Sequence, residues 1–500
     1  MSNITVNKRN LKSPSPVLVI GGGLSGCECV YQLAMRGIEC KLVEQKPLFY
    51  SPAHSNKNLA EIVCSNSLKS EDPSSASGML KGELMIWDSM LLKMAEKTKV
   101  PSGAALAVDR EEFSKKVTEQ IERLEFAEVV NTQVEDIDLN ANTVICTGPL
   151  TSGKLYENLK AKCGGECHYY DASAPIVDGD TIDMSKAFVA DRYGKGQGDG
   201  DYINCPLNKE QYETFVKELV AAEKVQLKSF EDVTVFEGCM PIEIMASRGE
   251  DSLRFGPMRP VGFTLPDGSK PYAIVQLRKE SNTNNMYNLV GFQTNLLYGE
   301  QKRVFSLIPG LENASFVKYG VMHRNSYLNA PKVLNKTLNF KDYPNSYVAG
   351  VLCGVEGYVE SIATGLAVAL NIAAKLDNKK DIPWDSRTMI GSLVSYIVSA
   401  NQDNFQPMNA NFGIVDNIDE NLAKELLKKY EGKNTLEEIV LEVQKNQRNN
   451  NLSVSLEESG KVNYVTKKSK ISKKDKKFAI TLRGLELTSL LASKYKFRKV

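Results

Sequence analysis

PVLVIGGGLSGCECVYQLAMRGIECKLVEQKP, residues 16–47, decides how the rest of the chain is read. Four consecutive apolar residues, Val17 to Ile20, have the character of a strand buried on both faces. A Gly-rich turn follows, then a helix to about Arg36, then a second strand ending at Glu44. Gly21, Gly23 and Gly26 fit the GxGxxG spacing, with Gly22, Leu24 and Ser25 completing the turn. In such a turn the first two glycines let backbone approach a pyrophosphate, and the third lets the helix pack on the strand. The helix N-terminus favours the negative charge. Glu44, 18 residues after Gly26, is placed to accept hydrogen bonds from a ribose diol. The alternative is a tight strand-to-helix turn without a ligand, and the complete βαβ context favours the dinucleotide.

Two later stretches favour FAD over a plain NAD domain. NTVICTGPLTS, residues 142–152, reads as a strand running into a turn at Gly148. NSYVAGVLCGVEGYVESIATGLAVALNIA, residues 345–373, reads as a strand, a Gly-rich crossing and a long helix. Gly350, Gly354 and Gly357 before that helix permit close approach to a flavin or its ribityl chain, although the helix itself also suits ordinary core. These segments predict an α/β chain with a Rossmann-like FAD-binding domain split by an insertion. The expected boundaries are 14–205 and 315–444 for the two FAD-binding segments, 206–314 for a smaller α/β insertion domain, and 445–500 for a Lys-rich C-terminal tail.

With 500 residues, 42% of them apolar, the chain is long enough for two cores. No apolar run is read as approaching the ~20 residues of a membrane span, and the N-terminus lacks the apolar segment of a secretory signal. A cytoplasmic protein without a membrane partner is expected. Ten Cys are too sparse for a disulfide framework, and three His argue against a His-rich metal site. CGGECH, residues 163–168, lacks a second ligand pair, so no metal is expected. The net charge of +1 hides an asymmetry: residues 441–500 hold 15 Lys or Arg against 5 Asp or Glu. The block of Lys461, Lys467, Lys468, Lys470, Lys473, Lys474, Lys476 and Lys477 suits either a solvated tail or an anionic polymer such as RNA.

FEGCMPIE, residues 236–243, sets Cys239 after Gly238 and two residues before Pro241, where a turn or strand end gives apolar packing no reason to ask for a thiol. It belongs to a set of longer strings: LAEIVCSNSLKS, VPSGAALAVDREEFS, YYDASAPIVD, NCPLNKEQYETFVKELVAAE, FEGCMPIEIMASRGEDSLRFGPMRPVGF, LVGFQTNLLYGEQKRVFSLIPGLENA, MHRNSYLNAPKVL and FQPMNANFG. From about Val17 to Ile414 the chain resembles the folate- and FAD-dependent tRNA uracil-5-methyltransferases of the TrmFO family, flavoproteins related to GidA and the glutathione-reductase type.

The resemblance implies formation of 5-methyluridine, in most of the family at position 54 of the tRNA TΨC loop. Carbon would come from 5,10-methylenetetrahydrofolate, and electrons from NADPH or NADH through FAD. Uracil C5 is a poor nucleophile until something adds to C6, and a thiolate suits that reversible addition. Cys239 matches the family cysteine assigned to C6, and Cys64 matches a second one that helps remove the C5 proton. Which cysteine does which is left open. Arg248, Arg254 and Arg259 stand close enough in sequence to hold phosphate or to favour the Cys239 thiolate, and solvated surface arginines are the alternative. His54, His323, Asn325 and Tyr327 lie in family-like strings without an assigned role. Cys27, Cys29, Cys40, Cys146, Cys205 and Cys353 are expected to pack as small apolar residues.

Three features depart from the family pattern. AGVLCG, residues 349–354, stands for the usual AGQITG; MLKGELM, residues 79–85, stands for LLKEEMR; and about eighty residues follow FQPMNANFG. These leave two other readings beside the tRNA methylase: a paralogue acting on large-subunit ribosomal RNA, and a flavin-containing RNA-binding protein without catalysis.

Overall fold

The computed structural model describes residues 15–51, 53–151, 153–163, 167–194, 200–225, 240–280, 285–320, 322–457 and 471–495. The opening motif forms β1 (Val17–Ile20), α1 (Leu24–Ala34) and β2 (Cys40–Glu44). Next come β3 (Ser67–Ser70), α2 (Ala76–Ile86), α3 (Met90–Lys97), β4 (Lys99–Val100), β5 (Ala105–Val108) and α4 (Arg110–Glu122). β6 (Ala127–Asn131), β7 (Thr143–Ile145), α5 (Gly153–Cys163) and β8 (Cys167–Ala172) lead out of this part. The middle of the chain holds β9 (Ile176–Asp178), β10 (Phe188–Val189), β11 (Tyr202–Leu207), α6 (Lys209–Ala221), α7 (Ile242–Ser247) and α8 (Ser252–Phe255). It continues with β12 (Ala273–Lys279), β13 (Met286–Leu289), α9 (Tyr298–Phe305) and β14 (Phe316–Lys318). The return runs through β15 (Met322–Tyr327), α10 (Ala330–Val333), β16 (Ser346–Val348), α11 (Tyr358–Leu376), α12 (Met389–Ser399), α13 (Glu420–Lys429), α14 (Leu436–Arg448) and α15 (Lys473–Lys494).

Five parallel strands, in the order β16-β7-β1-β2-β6, make the first sheet. β1 is central because Val17, Val19 and Ile20 find apolar partners on both faces. Pairing of β16 with β7 closes the split inferred from the two later stretches: segments about two hundred residues apart become neighbouring strands. α1 is buried along its whole length, between this sheet and α11. α11 is 19 residues long and apolar enough by length and composition to cross a membrane, which corrects the sequence reading that no run approaches this length; 89% of that window is buried inside the fold.

The second sheet has the order β10-β11-β12-β13-β9-β14 and is antiparallel throughout. Its strands begin at Ile176 rather than near 206. β9 and β10 are three and two residues long, too short to show a period of two. α6 and α9 cover this sheet through Phe215, Phe292 and Phe305, whose ring centroids lie 6.1 and 5.6 Å apart in turn.

Lys461, Lys467, Lys468 and Lys470 lie outside the described residues. Lys473, Lys474 and Lys477 are exposed at the start of α15, but the helix then continues as core: Leu482, Leu485 and Leu487 are fully buried against α2, α13 and α14. The departure at MLKGELM now has a physical reason. A Cβ on Gly82 would stand 2.8 Å from Leu485 Cδ2, and one on Gly484 would stand 2.3 Å from Met79 Cε. The family-like Glu at 82 would collide with α15. Glu486, fully buried, ties the bundle together by accepting from Lys429 Nζ at 2.8 Å, Tyr430 Oη at 2.8 Å and Ser453 N at 2.7 Å.

Candidate active site

Gly21 to Ser25, Glu44, Gly148 and Gly350 line one cleft at the carboxyl ends of the parallel strands. Its floor admits no side chains. A Cβ on Gly21, at φ +102°, would lie 2.5 Å from Cys146 O, and one on Gly26 would lie 1.9 Å from Gly21 O. Gly23 differs: φ is −77°, nothing lies within 4 Å of its Cβ position, and no side chain caps α1 there. An uncapped helix N-terminus beneath empty space fits a pyrophosphate. Gly22 N donates to Glu44 Oε2 at 2.7 Å, and Lys46 N donates to Oε1 at 2.9 Å. Two backbone donors leave the carboxylate lone pairs to accept from a ribose diol. The residues present therefore fit FAD.

Gly148, at φ +71°, turns beside the cleft, and Gly350 approaches Ser25 so closely that a Cβ would lie 2.7 Å from Ser25 Oγ. Gly354 is not brought to the cleft. Its Cβ position lies 2.3 Å from Phe405 Cζ, so its glycine serves a turn packed on a core aromatic. Tyr327 is likewise structural, buried with its hydroxyl donating to Phe405 O at 3.1 Å. Asn325 is also buried, and the His323 side chain lies outside the described residues. His54 does line the cleft, its Nδ1 2.5 Å from Ser51 Oγ.

Cys64 is partly exposed and is tied to the cleft through one residue. Tyr358, the first residue of α11, lines the cleft while its hydroxyl oxygen accepts from Cys64 N at 2.8 Å and Ser65 N at 3.1 Å. Burial, reinforced by the neighbouring Cys64 thiol, pushes the Tyr358 phenol up, so it keeps its proton and can donate it. Arg110 holds the preceding carbonyls, donating to Ile62 O at 3.2 Å and Val63 O at 3.0 Å, and pairs with Glu280 at 2.6 Å. Asn66 and Ser65 are gripped from the second sheet: Arg278 Nε donates to Asn66 Oδ1 at 2.9 Å and Nη2 to Ser65 Oγ at 2.8 Å. Lys318, at the end of β14, lies within electrostatic reach of Cys64, Arg110 and Glu280. Cys64 thus sits where the two sheets meet, among the cations Arg110 and Lys318 and the carboxylates Glu61 and Glu280.

Cys239 lies outside the described residues. The chain just after it is fixed: Ile242 N donates to Gln293 O at 2.7 Å, and buried Glu243 accepts from Thr294 Oγ1 at 2.9 Å and Asn295 N at 2.8 Å. Arg254 is used internally, stacked 3.7 Å over the Tyr272 ring and bonded to Asp251, while Arg259 is exposed. The six cysteines expected in the core are all buried. Burial pushes the thiols of Cys40, Cys146, Cys205 and Cys353 up to about 12, which removes them as nucleophiles at neutral pH. Tyr358, Arg110 and Arg278 escape sequence reasoning because their partners stand 47 to 294 residues away; only Arg110 lies inside a family-like string, and Tyr358 inside the Gly-rich crossing of residues 345–373.

The family model described as glucose inhibited division protein A matches residues 16–380. The chain is 50% identical over 415 residues to the methylenetetrahydrofolate--tRNA-(uracil-5-)-methyltransferase TrmFO of Acetivibrio thermocellus, covering 83% of this chain and 95% of that one. It is also 50% identical over 420 residues to the protein of that name from Natranaerobius thermophilus, covering 84% and 96%. Among solved structures, GidA of Aquifex aeolicus in its form II crystal superposes with a TM-score of 0.58 at 16% identity, over 96% of this chain and 88% of that one, a likeness of fold.

Proposed function

This chain belongs to the TrmFO family, and on that premise we propose that it makes 5-methyluridine in RNA, at position 54 of the tRNA TΨC loop, from methylenetetrahydrofolate. FAD, when bound, passes electrons from NADPH or NADH to the one-carbon unit, which must be reduced from the formaldehyde level to a methyl group. The backbone of Gly21 to Ser25 and Glu44 would hold its pyrophosphate and ribose, with Gly148 and Gly350 along its length. The observation that carries the reading is Tyr358, which lines the dinucleotide cleft and at the same time holds the backbone of Cys64. That link between the cleft and Cys64 supports a flavin-dependent reaction that uses a thiol.

In this reading Cys239 adds to uracil C6 and makes C5 nucleophilic, and Cys64 assists loss of the C5 proton. Arg110 and Arg278 position Cys64 rather than touch substrate. Described cysteines held as thiols, and an RNA substrate, support a cytoplasmic location. One observation favours the ribosomal alternative: α15, with Lys473, Lys474 and Lys477 exposed, is added to α2 where the sequence departs from the family at Gly82. Mass spectrometry of 5-methyluridine in both RNA pools of a deletion strain decides between the targets. Loss from tRNA is the expected result, loss from ribosomal RNA alone transfers the activity to the paralogue, and retention in both refutes the reading.

A further inference from the structure

Three aromatic rings, Phe316, Tyr319 and Tyr298, form a ladder at the edge of the second sheet. Tyr319 lies between Phe316 and Tyr298, with ring centroids 5.8 and 5.1 Å away and planes tilted by only 11° and 16°. Phe316 is partly buried and packs against the core of the second sheet, whereas Tyr298 at the other end is 56% exposed. An apolar core has no use for a ring left at the surface in this way, but a parallel stack with an open end has the geometry of one more flat ring.

The ladder is held rigid. Gln301 of α9 is fully buried; its Nε2 donates to Gly320 O at 2.9 Å and to Leu296 O at 2.7 Å, and its Oε1 accepts from Gly320 N at 2.8 Å. One side chain therefore clamps the residue after Tyr319 to the segment that leads into Tyr298. On one side the ladder continues into the clamp described above, since Thr294 and Asn295 are bonded to Glu243, four residues after Cys239. On the other it continues into Lys318, which lies within electrostatic reach of Cys64. A cation stands on each flank: exposed Lys224 bridges to Leu296 on one side and Lys318 is exposed on the other, while Arg303 pairs with both Glu300, at 2.7 Å, and Glu218.

We propose that the Tyr298–Tyr319–Phe316 ladder is a stacking platform for an unpaired nucleobase of the RNA substrate, next to the uridine that enters the active site. The inference rests on the RNA-methylation reading and adds to it a recognition surface. A uridine that must present C5 and C6 to thiols has to leave its stack, and its neighbour then loses a partner. The ladder replaces that partner, and Lys224 and Lys318 take the flanking phosphates.

The test compares Tyr298→Ala, Tyr298→Phe and Tyr319→Ala with the wild-type holoenzyme on an unmodified tRNA transcript. Exposed Tyr298 can be replaced without loss of core, and thermal melting checks this. The expected result is RNA binding weakened by about tenfold or more in Tyr298→Ala, the loss of one stack, and near-normal binding in Tyr298→Phe, which keeps the ring. FAD content, flavin reduction by NADPH and the KM for methylenetetrahydrofolate should stay unchanged. Unaltered RNA affinity in Tyr298→Ala overturns the proposal. So does a defect confined to the folate KM, which would assign the ladder to the folate, or a change of oligomeric state without a change in RNA binding, which would assign it to a second copy of the chain. A wild-type enzyme that binds RNA through Tyr298 but never methylates it would instead sink the function while leaving the platform standing.

Discussion

Replacing Gly23 with valine separates the folding of the nucleotide loop from its ligand. The backbone there, φ −77° and ψ −169°, is open to any L residue, and nothing stands within 4 Å of the Cβ position. The protein without cofactor should therefore fold as before, stabilised if anything by roughly 0.4–1 kcal/mol through the lost freedom of glycine in the unfolded chain. The new side chain occupies the space over the α1 N-terminus. Loss of two backbone N–H contacts to a charged phosphate, each worth roughly 1.5–3 kcal/mol, predicts FAD binding weakened by about 10² to 10⁴. Flavin absorbance per mole of purified protein and calorimetric titration of the flavin-free protein with FAD measure this, with thermal melting as the control for folding. Gly26→Ala supplies the contrast, because its Cβ would meet Gly21 O at 1.9 Å and should prevent folding rather than binding. A folded Gly23→Val protein with a full complement of tightly bound FAD would refute the placement of the pyrophosphate.

Cys239→Ala should abolish methylation while leaving flavin bound and reducible, whereas Cys64→Ala should stop turnover yet still trap a covalent complex with RNA; an adduct seen only in Cys239→Ala means the roles are reversed. Leu485→Ala should cost about 2–5 kcal/mol in urea unfolding, because Leu485 is fully buried against Gly82; a loss near zero would contradict the docking of α15. Joint replacement of Lys473, Lys474 and Lys477 by Gln should flatten the salt dependence of RNA binding by roughly 0.7–0.9 in log–log slope per lost phosphate contact, and an unchanged slope returns them to solvated surface. Burial brings the Lys81 amine down to about 7, so above that pH the unfolded chain binds more protons than the folded one and stability should rise with pH. The gain between pH 7 and 9 is at most about 2.7 kcal/mol and should vanish in Lys81→Met.

The nucleotide-binding half was legible because each of its signals is local. β1, the turn and α1 are specified within twenty residues by an apolar run and glycine spacing, and the structure brings Gly21, Glu44, Gly148 and Gly350 to one cleft. Gly354 stands against Phe405, and a glycine demanded by a positive φ beside a core Phe has the same sequence signature as one beside a flavin. An insertion domain was expected over 206–314, and nothing local announced that β9 joins the second sheet, because it does so by pairing with β13 and β14, more than a hundred residues later. Lysines at the start of α15 concealed the buried face that follows, and what fixes that face, Gly82, lies on α2. The support of Cys64 was invisible for the same reason: Tyr358, Arg110 and Arg278 come to it from three distant elements.

The central claim, that the carbon added to uridine comes from folate, is tested most directly with purified protein, FAD, NADPH, RNA from a deletion strain and methylenetetrahydrofolate labelled in its methylene carbon. Nuclease digestion and mass spectrometry should find the label in the methyl group of 5-methyluridine, with one labelled carbon per product and none formed when NADPH is omitted. Unlabelled 5-methyluridine, or label that enters only when S-adenosylmethionine carries it, would contradict the account.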